Sequence, residues 1–151
     1  MAPWDAVMAS RYTWHIRFQQ TADLPEQLIA GREAIYLRYF LDRDTFSDSD
    51  VARYVRAYAA PDHLRAALEI YRAFPQNEKF NAAQVSAISL PLVLAPGENS
   101  PFVKLMPSFA EALRQHGCAN VTIEVIKNSV HYVADEQPEA VAQLIARYAA
   151  S

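Results

Sequence analysis

The segment VTIEVIKNSVHYVADEQPEAV, Val121 to Val141, passes from an alternating apolar strand through a short polar loop carrying His131 into a helix opened by Pro138. A histidine at the C-terminal end of a strand lies on the edge where open α/β sheets bind ligands. The order strand, histidine, acidic turn, helix therefore makes His131 the first candidate for a catalytic base. The blander alternative is a solvated loop histidine.

Working back towards the N-terminus, the same alternation of elements continues. Leu90 to Ala95 (LPLVLA) has strand character, Lys104 to His116 is helical with Gly117 as its stop, and the strand VTIEVIK and the helix Pro138 to Ala149 complete a βαβα run. The longest apolar stretch, Ala87 to Ala95, contains Pro91 and is too short to cross a bilayer, so a buried strand is expected there. Strands joined by a helical crossover should be parallel. Two parallel strands alone leave an apolar edge unpaired, and only Thr13 to Phe18 offers another alternating segment that could extend the sheet.

The first half has a different period. Leu28, Ile29, Ile35, Tyr36, Tyr39 and Phe40 recur at helical spacing behind Asp23 as N-cap and Pro25 in the first turn, which predicts one long amphipathic helix. A second helix is expected after Ser47 and Asp48, carrying Val51, Tyr54, Val55 and Tyr58 and ending before Pro61. A third starts near Pro61 and presents Leu64, Ala67, Leu68, Tyr71 and Phe74. The fold class is thus α/β in a partial form: a helical block, residues 1–85, followed by a βαβα segment with two parallel strands, residues 86–151.

Composition limits the function classes. At 151 residues and 52% hydrophobic, the chain can bury one substantial core. A net charge of −3 with basic residues dispersed along the chain gives no footprint for nucleic acid. The single cysteine, Cys118, excludes an internal disulfide and suits a reducing compartment. MAPWDAVMASRYTW lacks the basic start and apolar core of a secretory signal, so a cytoplasmic location and no membrane partner are expected. Metal and cofactors are expected to be none. The four histidines show no ligand spacing, and three scattered glycines build neither a phosphate loop nor a dinucleotide fingerprint.

Three separated motifs carry a family resemblance. TWHIRFQQTADLPEQLIAGREAIYLRYFL, LRAALEIYRAF, LPLVLAPGE and VIKNSVHYVADEQPEAV together resemble the cap and C-terminal portion of α/β-hydrolases of the epoxide hydrolase type. Trp14-His15 and Tyr71-Arg72 fit the cap positions of that family, and His131-Tyr132 with Asp135 to Pro138 fit its histidine loop.

The resemblance implies a helical cap (lid) over residues 1–85 and a small-molecule substrate. It also implies a two-step hydrolysis in which an aspartate attacks an epoxide carbon. His15 and Tyr71 would donate to the opening oxygen, and His131 would activate the water that cleaves the ester. Trp14 and Phe18, with Tyr36 and Tyr39, would line an apolar pocket. Without the resemblance, Tyr71 and His15 would more often be packing residues, while His63 and His116 match no motif and are expected in solvent.

The departures from the family pattern point one way. Gly31, Gly97 and Gly117 are not placed to form a nucleophile elbow, and no G-x-S-x-G or aspartate equivalent occurs. The orienting acid that some members carry just before the cap would fall at MAPWDA, where it is lost. In its other familiar place the text is Gly97-Glu98-Asn99-Ser100, with Ser100 in the aspartate's position and Glu98 expected in solvent. The chain therefore reads as a truncated hydrolase, inactive alone, whose nucleophile would come from a complementing N-terminal half. Two alternatives are a dehalogenase, disfavoured by Ile16 where fluoroacetate dehalogenases place tryptophan, and a non-catalytic module forming a homodimer through its sheet edge.

Overall fold

The computed structural model describes residues 7–84 and 87–149. MAPWDA and the expected boundary at residues 85–86 lie outside them. The chain divides into two compact units, Arg11–Phe80 and Asn81–Ser151, the latter including Met1–Ser10.

The first unit is helical. A 3-10 turn, Arg11–Thr13, runs into α1, Trp14–Gln20, followed by α2, Leu24–Ile29, and α3, Glu33–Phe40. The strand suggested for Thr13 to Phe18 is therefore helix. Its apparent alternation is one turn of a helix that buries Ile16 and Gln19 at i and i+3.

The long helix expected after Asp23 is also corrected: it is two helices broken at Ala30–Arg32, where Gly31 takes φ +75°. Glycine enters the left-handed region without the Cβ clash, and that turn ends α2 before α3 begins. Asp23 sits at the N-cap in a left-handed conformation with no side-chain cap bond, and Pro25 occupies the first turn as expected.

Next come α4, Asp48–Tyr58, α5, Pro61–Arg72, and α6, Phe74–Ala83. Ser47 opens α4 with a complete capping box: Asp50 N–H donates to Ser47 Oγ at 3.2 Å, and Ser47 N–H donates to Asp50 Oδ2 at 3.1 Å. Arg38 on α3 donates to the Phe46 carbonyl at 2.9 Å and pairs with Asp48, holding the start of α4. Ser47→Ala is expected to lower the unit's stability by about 1 kcal/mol in urea denaturation. No change would mean that Val51, 6% exposed, and its packing hold the helix start by themselves.

The core of this unit is Ile29, Leu64 and Leu68, with Phe18, Tyr36 and Tyr58 packed against it. Those residues come from α1 through α5, so the amphipathic faces of short helices meet around one cluster.

The second unit holds the sheet. β1, Leu92–Leu94, and β2, Val121–Ile123, pair in parallel with Leu92 opposite Val121 and Leu94 opposite Ile123. Isolated bridges extend the ladder at both ends, Ile88 with Cys118 and Gly97 with Ile126. Between the strands, a 3-10 turn, Val103–Leu105, leads into α7, Met106–Gln115. Ala110, Cys118 and Val121 form the core, with Leu92, Leu94 and Leu113 against it.

The fold class expected from the sequence is present: a mostly helical chain with a small two-stranded parallel sheet. The expected buried strand at Ala87 to Ala95 is shorter and less covered than its composition suggests. Leu92 to Leu94 are half-buried and Leu90 is 72% exposed. Pro91 has no N–H to give the ladder, which starts after it.

After β2 the chain forms α8, Val133–Glu136, and α9, Pro138–Ala149. The side chain of Tyr148 on α9 reaches β2 at Thr122 Oγ, 3.2 Å, and donates to Glu124 Oε1 at 3.0 Å. Arg147 donates to Glu124 Oε2 at 2.9 Å, and these bonds hold the Glu124 carboxyl below its ordinary value.

Candidate active site

The candidate residues fall in both units. In the helical unit His15 and Tyr71 are brought together. His15 on α1 lies edge-to-face with Tyr71 on α5, ring centroids 6.4 Å apart, and with Phe40 on α3 at 5.0 Å. Trp14 stacks on Phe40 at 6.2 Å and meets Phe18 at 5.9 Å and Tyr39 at 5.6 Å. The four residues expected to line a pocket, Trp14, Phe18, Tyr36 and Tyr39, thus belong to one aromatic group that includes Phe40.

Burial raises the Tyr71 hydroxyl above its usual value, and the nearby Tyr58 adds to it. Burial pushes Tyr36 up to about 12, opposed by a hydrogen bond from Gln19 Nε2 to Tyr36 Oη at 2.7 Å. A protonated phenol in a poorly solvated place is a donor for a developing oxyanion.

What fixes Tyr71 was not legible as a motif. Pro75 cannot donate an amide hydrogen to the carbonyl four residues earlier, that of Tyr71. That carbonyl accepts from Gln20 Nε2 on α1 at 3.1 Å, tying Tyr71 to the helix that carries His15. The neighbouring Arg72 donates from both terminal nitrogens to Glu26, at 2.7 and 2.8 Å, and further to Glu69 at 2.8 Å and the Thr21 carbonyl at 2.8 Å. The signals present in the sequence were Pro75 and the Tyr71-Arg72 pair; the partners Gln20 and Glu26 lie too far away in sequence to be assigned.

In the second unit His131 occupies the loop after β2. It is exposed, and its ring lies edge-to-face with Tyr132 at 4.9 Å. The loop is fastened to the exit of β1: Asn99 N–H donates to the Ser129 carbonyl at 2.9 Å, and Ser129 is 1% exposed. Asn128 takes φ +52°, which asparagine tolerates.

Glu98, expected in solvent, keeps a side chain 37% exposed but is bonded as well. It accepts from Lys127 Nζ at 2.6 Å and Asn128 N–H at 3.2 Å, contacts that lower its carboxyl. Those bonds commit it to the loop's path. Ser100, in the place of the family's acid, is 9% exposed and accepts from Phe102 N–H at 3.3 Å, so it shapes a turn. His63, also expected in solvent, is exposed yet bonded, donating Nδ1–H to the Ala57 carbonyl at 3.0 Å; His116 is exposed.

Among the described residues no group of three or more histidine, cysteine or acidic side chains could hold a metal ion, and no helix is long and apolar enough to cross a membrane.

No protein-family model and no curated protein matches this sequence. Solved structures do. Cfl2 from Burkholderia cenocepacia is similar at 34% identity and a TM-score of 0.75, over 90% of this chain and 47% of that one. The epoxide hydrolase CorEH is similar at 26% identity and a TM-score of 0.76, over 90% of this chain and 49% of that one. ALR0039 from Nostoc sp PCC 7120, described as an α/β hydrolase, is similar at 25% identity and a TM-score of 0.73, over 90% of this chain and 48% of that one. The chain is structurally homologous to proteins of the α/β-hydrolase superfamily, and it spans about half the length of the solved structures that it matches.

Proposed function

We propose that this chain supplies the cap and the water-activating histidine of an α/β-hydrolase that opens small to medium apolar epoxides through an ester intermediate. The observation that carries the reading is the edge-to-face approach of His15 and Tyr71, ring centroids 6.4 Å apart, beside Trp14 and Phe40. At that spacing an imidazole N–H and a phenol O–H can converge on one oxygen. The similarity to an epoxide hydrolase of known structure supports the same chemistry.

Residues 1–85 would form the cap and residues 86–151 part of the catalytic core, with the nucleophilic carboxylate supplied from an N-terminal half. The carboxylate oxygen bonds to an epoxide carbon as the carbon–oxygen bond breaks. His15 and Tyr71 stabilise the released alkoxide, which takes the Tyr71 hydroxyl proton to become the first hydroxyl of the product, and the phenolate regains a proton when the acid formed in the second step releases its own. His131 then removes a proton from water, the hydroxide adds to the ester carbonyl, and the tetrahedral intermediate breaks its bond to the second oxygen, which takes the proton from the His131 imidazolium to complete the diol while the acid loses its own proton to restore the carboxylate.

The test is diol formation from an aromatic epoxide by the purified chain, alone and mixed with a separately expressed N-terminal half of a related enzyme. Turnover is expected only in the mixture. It should fall about 10²–10⁴-fold in His131→Ala and about 10²–10³-fold in Tyr71→Phe. Turnover by the lone chain, or a mixture indifferent to both substitutions, would overturn the proposal.

A further inference from the structure

We infer that Glu136 is the positioning residue for His131, an inference that rests on the role proposed above for that histidine. The Glu136 carboxylate accepts three successive backbone amides of the loop. Oε2 takes Val130 N–H, and Oε1 takes His131 N–H at 3.2 Å and Tyr132 N–H at 2.9 Å. These amides precede α8 and lie outside any strand ladder, so without the carboxylate they would have to find other acceptors. Bonds from amides to an ionised carboxylate are short and stronger than neutral ones.

The acid itself is carried by α8. Gln137, which follows that helix, donates Nε2–H to the Asn128 carbonyl at 3.1 Å. The histidine is therefore held from both ends of its loop. Glu98 and Asn99 grip Asn128 and Ser129 from the exit of β1, and Glu136 grips Val130 to Tyr132 from α8. Glu136 acts on His131 through the backbone. It sets the position of the Cα and the packing of the imidazole on Tyr132, and its carboxylate is already committed to the amides.

Glutamine at this position keeps the shape but has only one acceptor atom. Either Val130 N–H or the His131 and Tyr132 amides would then face an NH₂ group. The test uses the isotope-labelled full chain and Glu136→Gln, with Glu139→Gln, an exposed acid in the first turn of α9, as the control.

In wild type the amide protons of residues 130–132 should be downfield and slow to exchange, and His131 and Tyr132 should show ring-to-ring cross-peaks. In Glu136→Gln the three amides should move upfield and exchange at least about tenfold faster, as expected for loss of a charged acceptor. The ring cross-peaks should weaken, while the methyl signals of Ala110, Leu113 and Val121 stay in place. In the reconstituted mixture kcat should fall about tenfold with KM unchanged, and the substitution should add nothing to His131→Ala.

Unaltered amides and ring cross-peaks in Glu136→Gln would overturn the inference. Collapse of the core methyl signals would also overturn it, by making Glu136 a residue of the whole unit's stability. A rearranged loop in Glu136→Gln, together with turnover that survives His131→Ala, would leave the positioning intact and sink the role proposed for the histidine.

Discussion

Alanine at Gly97 is expected to destabilise the second unit by about 3 kcal/mol or more, at the upper end of what overpacking costs. A Cβ built at Gly97 lies 2.3 Å from the Val130 carbonyl oxygen and 2.7 Å from both the carbon and the oxygen of the Ser129 carbonyl. All three atoms are backbone, so no rotamer change can relieve the contact. The requirement is close approach, since Gly97 is not among the residues of positive φ.

The loop on the other side of that contact is the one that carries His131. Its Asn128 and Ser129 are bonded to Glu98 and Asn99, so the strain cannot be released without moving the histidine. Urea denaturation followed by circular dichroism, with the amide spectrum of residues 128–132, checks this. A loss below about 1 kcal/mol with an unmoved loop would mean that the β1 exit gives way instead.

The second large effect is expected at the ion pair beside Tyr71. The side chains of Arg72 and Glu26 are 15% and 21% exposed, between the fully buried and the surface case. Removing one partner leaves the other charge poorly solvated, and Arg72→Ala should cost the helical unit about 2 kcal/mol, between the values for surface and buried pairs. The double substitution Arg72→Ala/Glu26→Ala should recover part of that loss, because no stranded charge remains. Equal losses in single and double variants would assign the effect to packing of the arginine stem.

The pair also sets a pH dependence. The Arg72 hydrogen bonds hold the Glu26 carboxyl below its ordinary 4.5, against the opposing effect of burial. A carboxyl with a depressed folded-state pKa contributes stability that is present above the unfolded value and is lost as pH falls through the folded one. Stability should therefore decline as the solution is acidified below about 4.5, and Glu26→Gln should show a shallower decline. Parallel curves for the two proteins would exclude the pair as a contributor.

Elements held by local chemistry could be read from the sequence. Ser47, Pro61 and Pro138 mark helix starts through a cap and missing amide hydrogens, and α4, α5 and α9 begin at or just after those residues. The order of the two strands with a helix between them was legible for the same reason. The pairs Trp14-His15, Tyr71-Arg72 and His131-Tyr132 named the candidate residues through their resemblance to the motifs of epoxide hydrolase-type α/β-hydrolases.

Period alone misled in two places. Ile16 and Gln19 share a buried helix face that looks like alternation, and Gly31 sits inside a helical pattern that it in fact ends. Both outcomes depend on which side of the chain meets a core, and no local window contains that information.

The sequence by itself determined the helix starts of α4, α5 and α9 and the parallel pair of strands, and the resemblance it carries pointed to the candidate histidines and tyrosine. Only the tertiary structure decided that His15 meets Tyr71, that the Tyr71 carbonyl accepts from Gln20, and that Glu98 and Glu136 hold the histidine loop. The physical reason is one of range. Caps and prolines act on amides within one turn, whereas a carbonyl at a helix end, a half-buried ion pair or a glycine under a neighbouring loop meets whatever partner the packed chain brings close to it.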